Sequence, residues 1–101
     1  MSKYKFYTNR RTKNHPSLEV KSNEKSWENM ELTSSPTKNG RYIKLKKNPD
    51  IDRSEKAYLR KYVRNDPIRT RGDLLRKYDL SEEDLLEIES YLLAHCENKK
   101  R

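Results

Sequence analysis

Three segments in the first half of the chain alternate apolar and polar residues, and this pattern constrains the fold more than any other feature of the sequence. In each segment, two apolar residues two positions apart share a face: Leu18 with Val20, Met30 with Leu32, and Ile43 with Leu45. A period of two is typical of a strand that buries one face. The polar run SNEK joins the first two segments, and the turn pair Asn39 and Gly40 precedes the third. The pattern predicts a small antiparallel sheet.

Two other segments bear on the number of strands. Residues 3 to 7, KYKFY, are rich in aromatic residues, as short strands often are. Residues 55 to 64 fit either form, because Tyr58, Leu59, Tyr62 and Val63 have helical spacing while Leu59, Lys61 and Val63 alternate as in a strand. Three or four strands are therefore predicted between residues 4 and 64, and residues 55 to 64 stay open between strand and helix.

The C-terminal part of the chain has the pattern of two helices. Thr70 with Asp73, and Ser81 with Asp84, both match the capping box, in which a hydroxyl and an acid three residues later each bond a backbone N–H group at a helix start. An apolar stripe at helical spacing follows the second box, formed by Leu85, Ile88 and Leu92. We therefore predict an α+β fold in which a helical pair over residues 70 to 97 covers the sheet.

Composition limits the size of the core. Only 31% of the residues are hydrophobic and 40% are charged, which is enough for one small domain. Residues 10 to 13 are basic and have no apolar period. The predicted organisation is a mobile basic arm over residues 1 to 14, a single domain over residues 15 to 97, and a basic tail over residues 98 to 101.

Charge is distributed unevenly along the chain. The net charge is +8, but residues 1 to 80 alone hold 21 basic and 10 acidic residues, a net +11. Residues 81 to 97 hold six acids and no Lys or Arg. A basic body favours a nucleic acid or an acidic protein as partner, and the acidic helix favours a basic protein surface or a second copy of the chain.

Several classes of site and location are disfavoured. Cys96 is the only cysteine, so neither an internal disulfide nor a four-thiolate metal site is possible, and a reducing cytoplasm is expected. No apolar run approaches the roughly 18 residues of a membrane span, and the N-terminal residues lack the apolar region of a signal peptide. There is no Walker loop, GxGxxG, HExxH or paired zinc-ligand spacing. We expect no membrane association, no cofactor and no metal.

The basic centre of the chain, interleaved with tyrosines, is the predicted binding surface. From Lys38 to Lys77 there are 14 Lys or Arg residues against five acids. Basic side chains on one face can follow a phosphate backbone while tyrosines stack on bases. The predicted nucleic-acid-binding residues are Lys44, Lys46, Arg60, Tyr62 and Arg64. The alternative is that these charges only keep a small domain in solution.

RNA or single-stranded DNA is preferred to a duplex. The stretch RGDLLRKYDLSEEDLLEIESYL has the apolar frame of a DNA-reading helix-turn-helix. Its second helix, however, carries four glutamates that phosphates would repel in the major groove: Glu82, Glu83, Glu87 and Glu89. The structural alternative is that these helices only cover the sheet.

Two other functions compete with nucleic-acid binding. In the first, the chain is a degraded or unconventional ribonuclease in which His15 acts as general acid or base and Lys46 with Arg60 stabilises the transition state. His95 adjoins Cys96 near a helix C-terminus, where a structural role explains it better than catalysis does. In the second, the chain is a protein-interaction module or inhibitor that acts through its acidic C-terminal helix, with a second copy or a host protein as partner.

Five short blocks, HPSLEV, ELTSSP, IKLKKNPD, YLRKYV and LSEEDLLEIESYL, together resemble a group of small proteins carried by phages and mobile elements of Gram-positive bacteria. The likeness spans residues 15 to 93. In that group a histidine precedes the first strand, a T-H-S step follows the second and a K-N-P turn follows the third. Some relatives are similar to toxin-nuclease domains of the barnase or RelE type, which cut RNA. Ser34 stands here in place of the T-H-S histidine, so His15 lacks its companion. The resemblance implies an RNA-binding accessory protein without confirmed chemistry.

Overall fold

The computed structural model describes residues 4 to 13 and 15 to 99, with side chains as far as residue 95. The fold is α+β, with seven strands and one long helix in this part of the chain. The strands are β1 (Phe6–Asn9), β2 (His15–Ser22), β3 (Ser26–Thr33), β4 (Tyr42–Lys44), β5 (Tyr58–Arg60), β6 (Arg64–Pro67) and β7 (Arg71–Leu74), and the helix is α1 (Glu82–Lys99). Two single turns of 3₁₀ helix, Arg10–Thr12 and Ile68–Thr70, follow β1 and β6.

All the strand pairs are antiparallel, and β3 organises the sheet. One edge of β3 pairs with β2, where Leu18 lies opposite Met30. Its other edge pairs with two strands in succession, with Trp27 opposite Asp66 in β6 and Leu32 opposite Leu59 in β5. The full order is β4-β5-β3-β2-β1-β7, with β6 beside the first half of β3.

The part of the sheet formed by β6, β3, β2, β1 and β7 is strongly curved. Four strand spacings would separate β6 from β7 by about 19 Å in a flat sheet. Pro67 ends β6 and Arg71 begins β7, and four residues of chain reach at most about 14 Å. The sheet must therefore curl until its two edges approach each other. Trp27 lies inside the curl, fully buried, and its Nε1 donates a hydrogen bond to Thr70 Oγ1 at 2.9 Å.

The inner surface of the curl is polar as well as aromatic. Buried polar side chains of four neighbouring strands form one network: Asn9, Ser17, Asn29 and Asp66. Asn9 Nδ2 donates to Ser17 Oγ and to Asn29 Oδ1, each at 3.3 Å, and Asn29 Nδ2 donates to Asp66 Oδ2 at 3.0 Å. Buried polar groups that are paired in this way avoid the cost of unmet hydrogen bonds.

The opposite face of the sheet holds the hydrophobic core. Phe6 pairs with Leu18 across β1 and β2, and both belong to one buried cluster with Ile88 of α1. Further buried residues of this cluster are Met30, Leu32, Ile43, Leu45, Ala57, Leu59, Leu80 and Leu92. The helix thus covers the apolar face, as the sequence predicts for the segment after Ser81.

The N-terminus of α1 is attached to the sheet through a buried carboxylate. Ser81 Oγ accepts a hydrogen bond from the Asp84 backbone N–H at 3.2 Å, which is half of the predicted capping box. The Asp84 carboxylate, fully buried, accepts instead from the backbone N–H groups of Lys46 at 2.9 and 3.0 Å and Lys47 at 3.2 Å. The first turn of the helix is therefore joined to the segment that follows β4.

The prediction of a second helix is wrong. Thr70 and Asp73 do not form a capping box, since Arg71–Leu74 is the strand β7. Thr70 accepts the Trp27 hydrogen bond, and the Asp73 backbone N–H donates to Thr8 Oγ1 at 2.8 Å. Tertiary pairing with β1 overrides a local helix-start pattern here. The sheet accordingly has seven strands instead of three or four, and one helix covers it.

The structure also bears on the open segment and on the residues that were assigned to the arm and the tail. Residues 55 to 64 contain strand β5 and the start of β6, so the strand alternative is the one adopted. Phe6–Asn9, assigned from the sequence to a mobile arm over residues 1 to 14, is an interior strand between β2 and β7. Residues 1 to 3 and 14 of that arm lie outside the described residues. In the predicted tail, residues 98 and 99 continue α1, and residues 100 and 101 lie outside the described residues.

Candidate nucleic-acid interface

Strands β4 and β5 form a two-stranded extension of the sheet with one buried and one exposed face. In register, Tyr42 lies opposite Arg60, Ile43 opposite Leu59, and Lys44 opposite Tyr58. Ile43 and Leu59 are buried in the core. Because side chains alternate along a strand, Tyr42, Lys44, Tyr58 and Arg60 must all lie on the outer face.

The outer face brings aromatic rings and basic groups together. The rings of Tyr42 and Tyr58 meet edge to face, with centroids 6.3 Å apart and an interplanar angle of 74°. The Arg60 guanidinium carbon lies 5.6 Å from the ring centroid of Tyr62, whose side chain is 56% exposed. We call the surface formed by Tyr42, Lys44, Tyr58, Arg60 and Tyr62 the tyrosine face.

A turn before β4 holds Tyr42 in place. The Tyr42 hydroxyl accepts a hydrogen bond from the Thr37 backbone N–H at 3.2 Å and lies 3.2 Å from Thr37 Oγ1. These hydrogen bonds lower the pKa of Tyr42 below its usual value. A Cβ at Gly40 would lie 2.5 Å from Tyr42 Cε2, so a larger residue there would displace the Tyr42 ring. The predicted turn of Asn39 and Gly40 thus positions the ring.

The surroundings of the tyrosine face are mainly basic. Arg41 and Lys61 flank it and are joined by a 2.8 Å hydrogen bond from the Lys61 backbone N–H to the Arg41 carbonyl oxygen. The acid Glu31 lies 3.8 Å from the Arg60 guanidinium group. Exposed rings beside guanidinium and ammonium groups can stack on bases and contact phosphates.

The structure places three of the five predicted binding residues on this face: Lys44, Arg60 and Tyr62. Lys46 lies beyond the end of β4, where its Nζ is 2.6 Å from Glu83 Oε2 of α1. The hydrogen bond and the charge of Glu83 raise the pKa of Lys46 above its usual value. Arg64 lies on the inner side of the sheet, where its Nε is 3.5 Å from Asp66 Oδ2.

Tyr42 and Tyr58 belong to the face but not to the predicted set of binding residues. The signal for Tyr42 was present in the sequence, since it alternates with Ile43 and shares its side of the strand with Lys44. The signal for Tyr58 was weaker, because the segment that contains it fitted a helix equally well.

His15 lies at the start of β2, away from its proposed catalytic partners. It is exposed and lines a groove of about 520 Å³ together with Lys13, Ser34 and Arg53. Neither Lys46 nor Arg60 lines this groove. The structure therefore does not bring His15 together with Lys46 and Arg60. His15 does share one groove with Ser34, the residue that stands in place of its expected companion histidine.

The acidic helix exposes both charge and apolar surface. Glu82, Glu83 and Glu87 are exposed, and Glu89 is half-buried. Leu86 and Leu93, two turns apart, are 66% and 65% exposed. Glu83 already pairs with Lys46 of the same chain, so part of the acidic surface is used within the protein.

Comparisons of the chain with protein-family models, with curated proteins and with solved structures give no match. Among the described residues, no helix is both long and apolar enough to cross a membrane. Within the same part of the chain, no three His, Cys, Asp or Glu side chains are grouped as metal ligands.

Proposed function

We propose that the protein binds single-stranded nucleic acid, either RNA or single-stranded DNA, through the tyrosine face. The observation that supports this proposal is the grouping of the exposed Tyr62 and the half-buried Tyr42 and Tyr58 with Lys44 and Arg60 on the outer side of β4 and β5. Unpaired bases present flat apolar surfaces on which tyrosine rings and a guanidinium group stack, and the neighbouring cations attract the phosphates.

A single strand is a better ligand than a duplex. The bases of a duplex are already stacked on each other, so a flat aromatic surface gains little from them. The only long helix in the described part of the chain, α1, carries Glu82 and Glu83 in its first turn, where the phosphates beside a groove would repel it.

The direct test is fluorescence anisotropy with a labelled, unstructured uridine oligonucleotide. Tyr62→Ala and Arg60→Ala should each weaken binding by about five- to 100-fold, the range expected for a stacking contact worth ~1–3 kcal/mol. Because Tyr62 is more than half exposed, its removal should leave the fold intact. Affinity of the unmodified protein should fall steeply as salt increases.

Lys25→Ala is the matched control for loss of one charge. Lys25 is exposed and lies before the start of β3, whereas the tyrosine face adjoins the end of β3 near Thr33. Seven residues of strand separate the two positions by about 23 Å. If Lys25→Ala weakens binding as much as Arg60→Ala does, or if no binding occurs at low salt, the proposal fails.

The proposed role is that of a non-enzymatic accessory protein of a phage or mobile element. The resemblance of five sequence blocks to such proteins supports the biological setting, and Ser34 in place of the companion histidine supports the absence of catalysis. Purified protein should leave a labelled RNA uncut. Cleavage that is lost in His15→Ala would contradict the non-enzymatic part of the proposal and favour the ribonuclease alternative.

A further inference from the structure

The groove beside His15 combines an apolar floor with a basic, hydroxyl-rich rim. Leu32 and Tyr78 line its floor, and both are at least half-buried, while Lys13, His15 and Ser34 are exposed at its rim. Its volume of about 520 Å³ falls within the ~300–1,000 Å³ of small-ligand sites. A space of this kind fits a ligand with one apolar ring and one anionic group.

Lys13 has a backbone conformation that its side chain does not favour. Its φ of 57° and ψ of 41° lie in the left-handed region, and it is the only non-glycine residue with positive φ in the described part of the chain. Glycine or asparagine adopts this conformation more readily than lysine does. Strain of this kind is often kept where the side chain has a function.

Local hydrogen bonds fix the turn that carries Lys13. Asn9 Oδ1 accepts from the Arg11 backbone N–H at 2.9 Å. Thr12 Oγ1 lies 3.2 Å from the Asn9 carbonyl oxygen and 3.3 Å from that of His15. These hydrogen bonds therefore hold the backbone on either side of Lys13 beside the groove.

The groove adjoins the tyrosine face. Thr33 and Ala57 line the groove, and both are neighbours of Tyr58. Thr33 pairs with Tyr58 across β3 and β5, and Ala57 precedes Tyr58 in the chain. A strand bound on the tyrosine face could thus continue into the groove.

We propose that the groove is a nucleotide-binding subsite, with the phosphate at Lys13 and His15 and the base against the apolar floor. The ligand class rests on the proposed function, whereas the site itself rests on the groove and the Lys13 turn. Arg53 also lines the rim, but its guanidinium group is 3.5 Å from Asp50 and 3.0 Å from Glu55. Since those acids offset its charge, we assign the phosphate to Lys13 and His15.

Nuclear magnetic resonance of the histidine side chains tests this inference directly. The chain has two histidines, His15 and His95, so His15→Ala assigns both signals. Titration with uridine 5′-monophosphate should shift the His15 signal in a saturable way and leave the His95 signal unchanged. Lys13→Gly should weaken that binding by at least about tenfold, as expected for loss of a charge-assisted phosphate contact.

The controls separate this subsite from the tyrosine face. Lys13→Gly should melt at the same temperature as the unmodified protein or higher, because glycine suits the left-handed conformation. Arg60→Ala should weaken binding of the uridine oligonucleotide but not binding of the mononucleotide. The inference is overturned if the mononucleotide leaves the His15 signal unshifted, if inorganic phosphate binds as tightly as the mononucleotide, or if Lys13→Gly and Lys25→Ala have equal effects. If the unmodified protein binds the mononucleotide but not the oligonucleotide, the proposal for the tyrosine face alone is overturned.

Discussion

The attachment of α1 to the sheet depends on Asp84, and its replacement by alanine should be among the most damaging single changes in the chain. The fully buried carboxylate accepts hydrogen bonds from the backbone N–H groups of Lys46 and Lys47. Asp84→Ala leaves both donors without this acceptor, at about 1–3 kcal/mol each. It also removes a negative charge from the first turn of α1, which favours anions by ~0.3–1 kcal/mol. We therefore expect a loss of about 2–7 kcal/mol, a large part of the ~5–15 kcal/mol stability of a small domain.

Urea denaturation followed by two probes measures this effect. Far-ultraviolet circular dichroism reports mainly on α1, and the fluorescence of Trp27, buried within the curl of the sheet, reports on β3. Both probes should show the midpoint for Asp84→Ala shifted to lower urea. Asp84→Asn, which keeps one acceptor oxygen but turns an N–H₂ group toward donors, should have an intermediate effect.

Glu83→Ala is the matched control, because Glu83 is an acid in the same turn with its side chain 69% exposed. Its ion pair with Lys46 is open to solvent, so its loss should change stability little. Equal destabilisation by Asp84→Ala and Glu83→Ala, or a loss below about 1 kcal/mol for Asp84→Ala, would refute the argument that the buried hydrogen bonds hold the helix.

Two further predictions concern the polar interior and the tyrosines. Asp66→Ala removes the acceptor of the buried 3.0 Å hydrogen bond from Asn29 Nδ2 and should lower the free energy of unfolding, measured by urea denaturation, by about 2–4 kcal/mol. Asp52→Ala, at an exposed ion pair, should lower it little. Equal effects of the two changes would contradict a stabilising role of the buried network. Burial, with the nearby charge of Asp50, raises the pKa of Tyr78 above 10.0. Its contribution to stability is therefore present below pH 10 and is lost as the pH rises through the folded-state pKa. Unfolding monitored against pH should show a steeper alkaline loss for the unmodified protein than for Tyr78→Phe.

The elements that local sequence predicts well are those whose buried residues are apolar. Strands β2 and β3 form the expected hairpin, with Leu18 opposite Met30, and α1 begins after Ser81 as its cap predicts. In these segments the hydrophobic period and the secondary structure agree. Trp27, three residues before Met30, lies on the opposite face of β3, because Trp27 points into the curl while Met30 belongs to the hydrophobic core.

Strand β6 was missed because its inward residues are polar. Its sequence is RNDP, and the side chains of Arg64 and Asp66 face the polar network instead of the core. In β1, part of which the aromatic run KYKFY suggests as a strand, Asn9 likewise points into that network. A search for alternating apolar residues cannot detect such strands, because their inward residues are polar. Their pairing partners also lie far away in the sequence, so local patterns do not indicate them. For the same reason Arg64 was grouped with the exposed cations.

The candidate surface follows from the same distinction. The alternation of side chains along β4 and β5 places Lys44 and Arg60 on one outer face. The sequence predicts this arrangement if both segments are taken as strands. Lys46 lies outside this face because β4 ends at Lys44, and beyond the end of a strand the alternation no longer determines the direction of a side chain. The groove at His15 could not be predicted, since its lining comes from β1, β2, β3 and four separate connecting segments.

A chain with 31% hydrophobic residues has few apolar side chains to spare, and their distribution bears on function. Inside the curl, where an apolar residue would have added stability, the chain places Asn9, Asn29 and Asp66. On the tyrosine face, in contrast, it leaves Tyr62 more than half exposed beside Arg60, while Tyr42 and Tyr58 are half-buried. An exposed aromatic ring adds little to stability and favours association with other surfaces. Folding therefore does not account for the exposure of Tyr62, which the proposed stacking against a ligand with flat apolar rings and negative charge would explain.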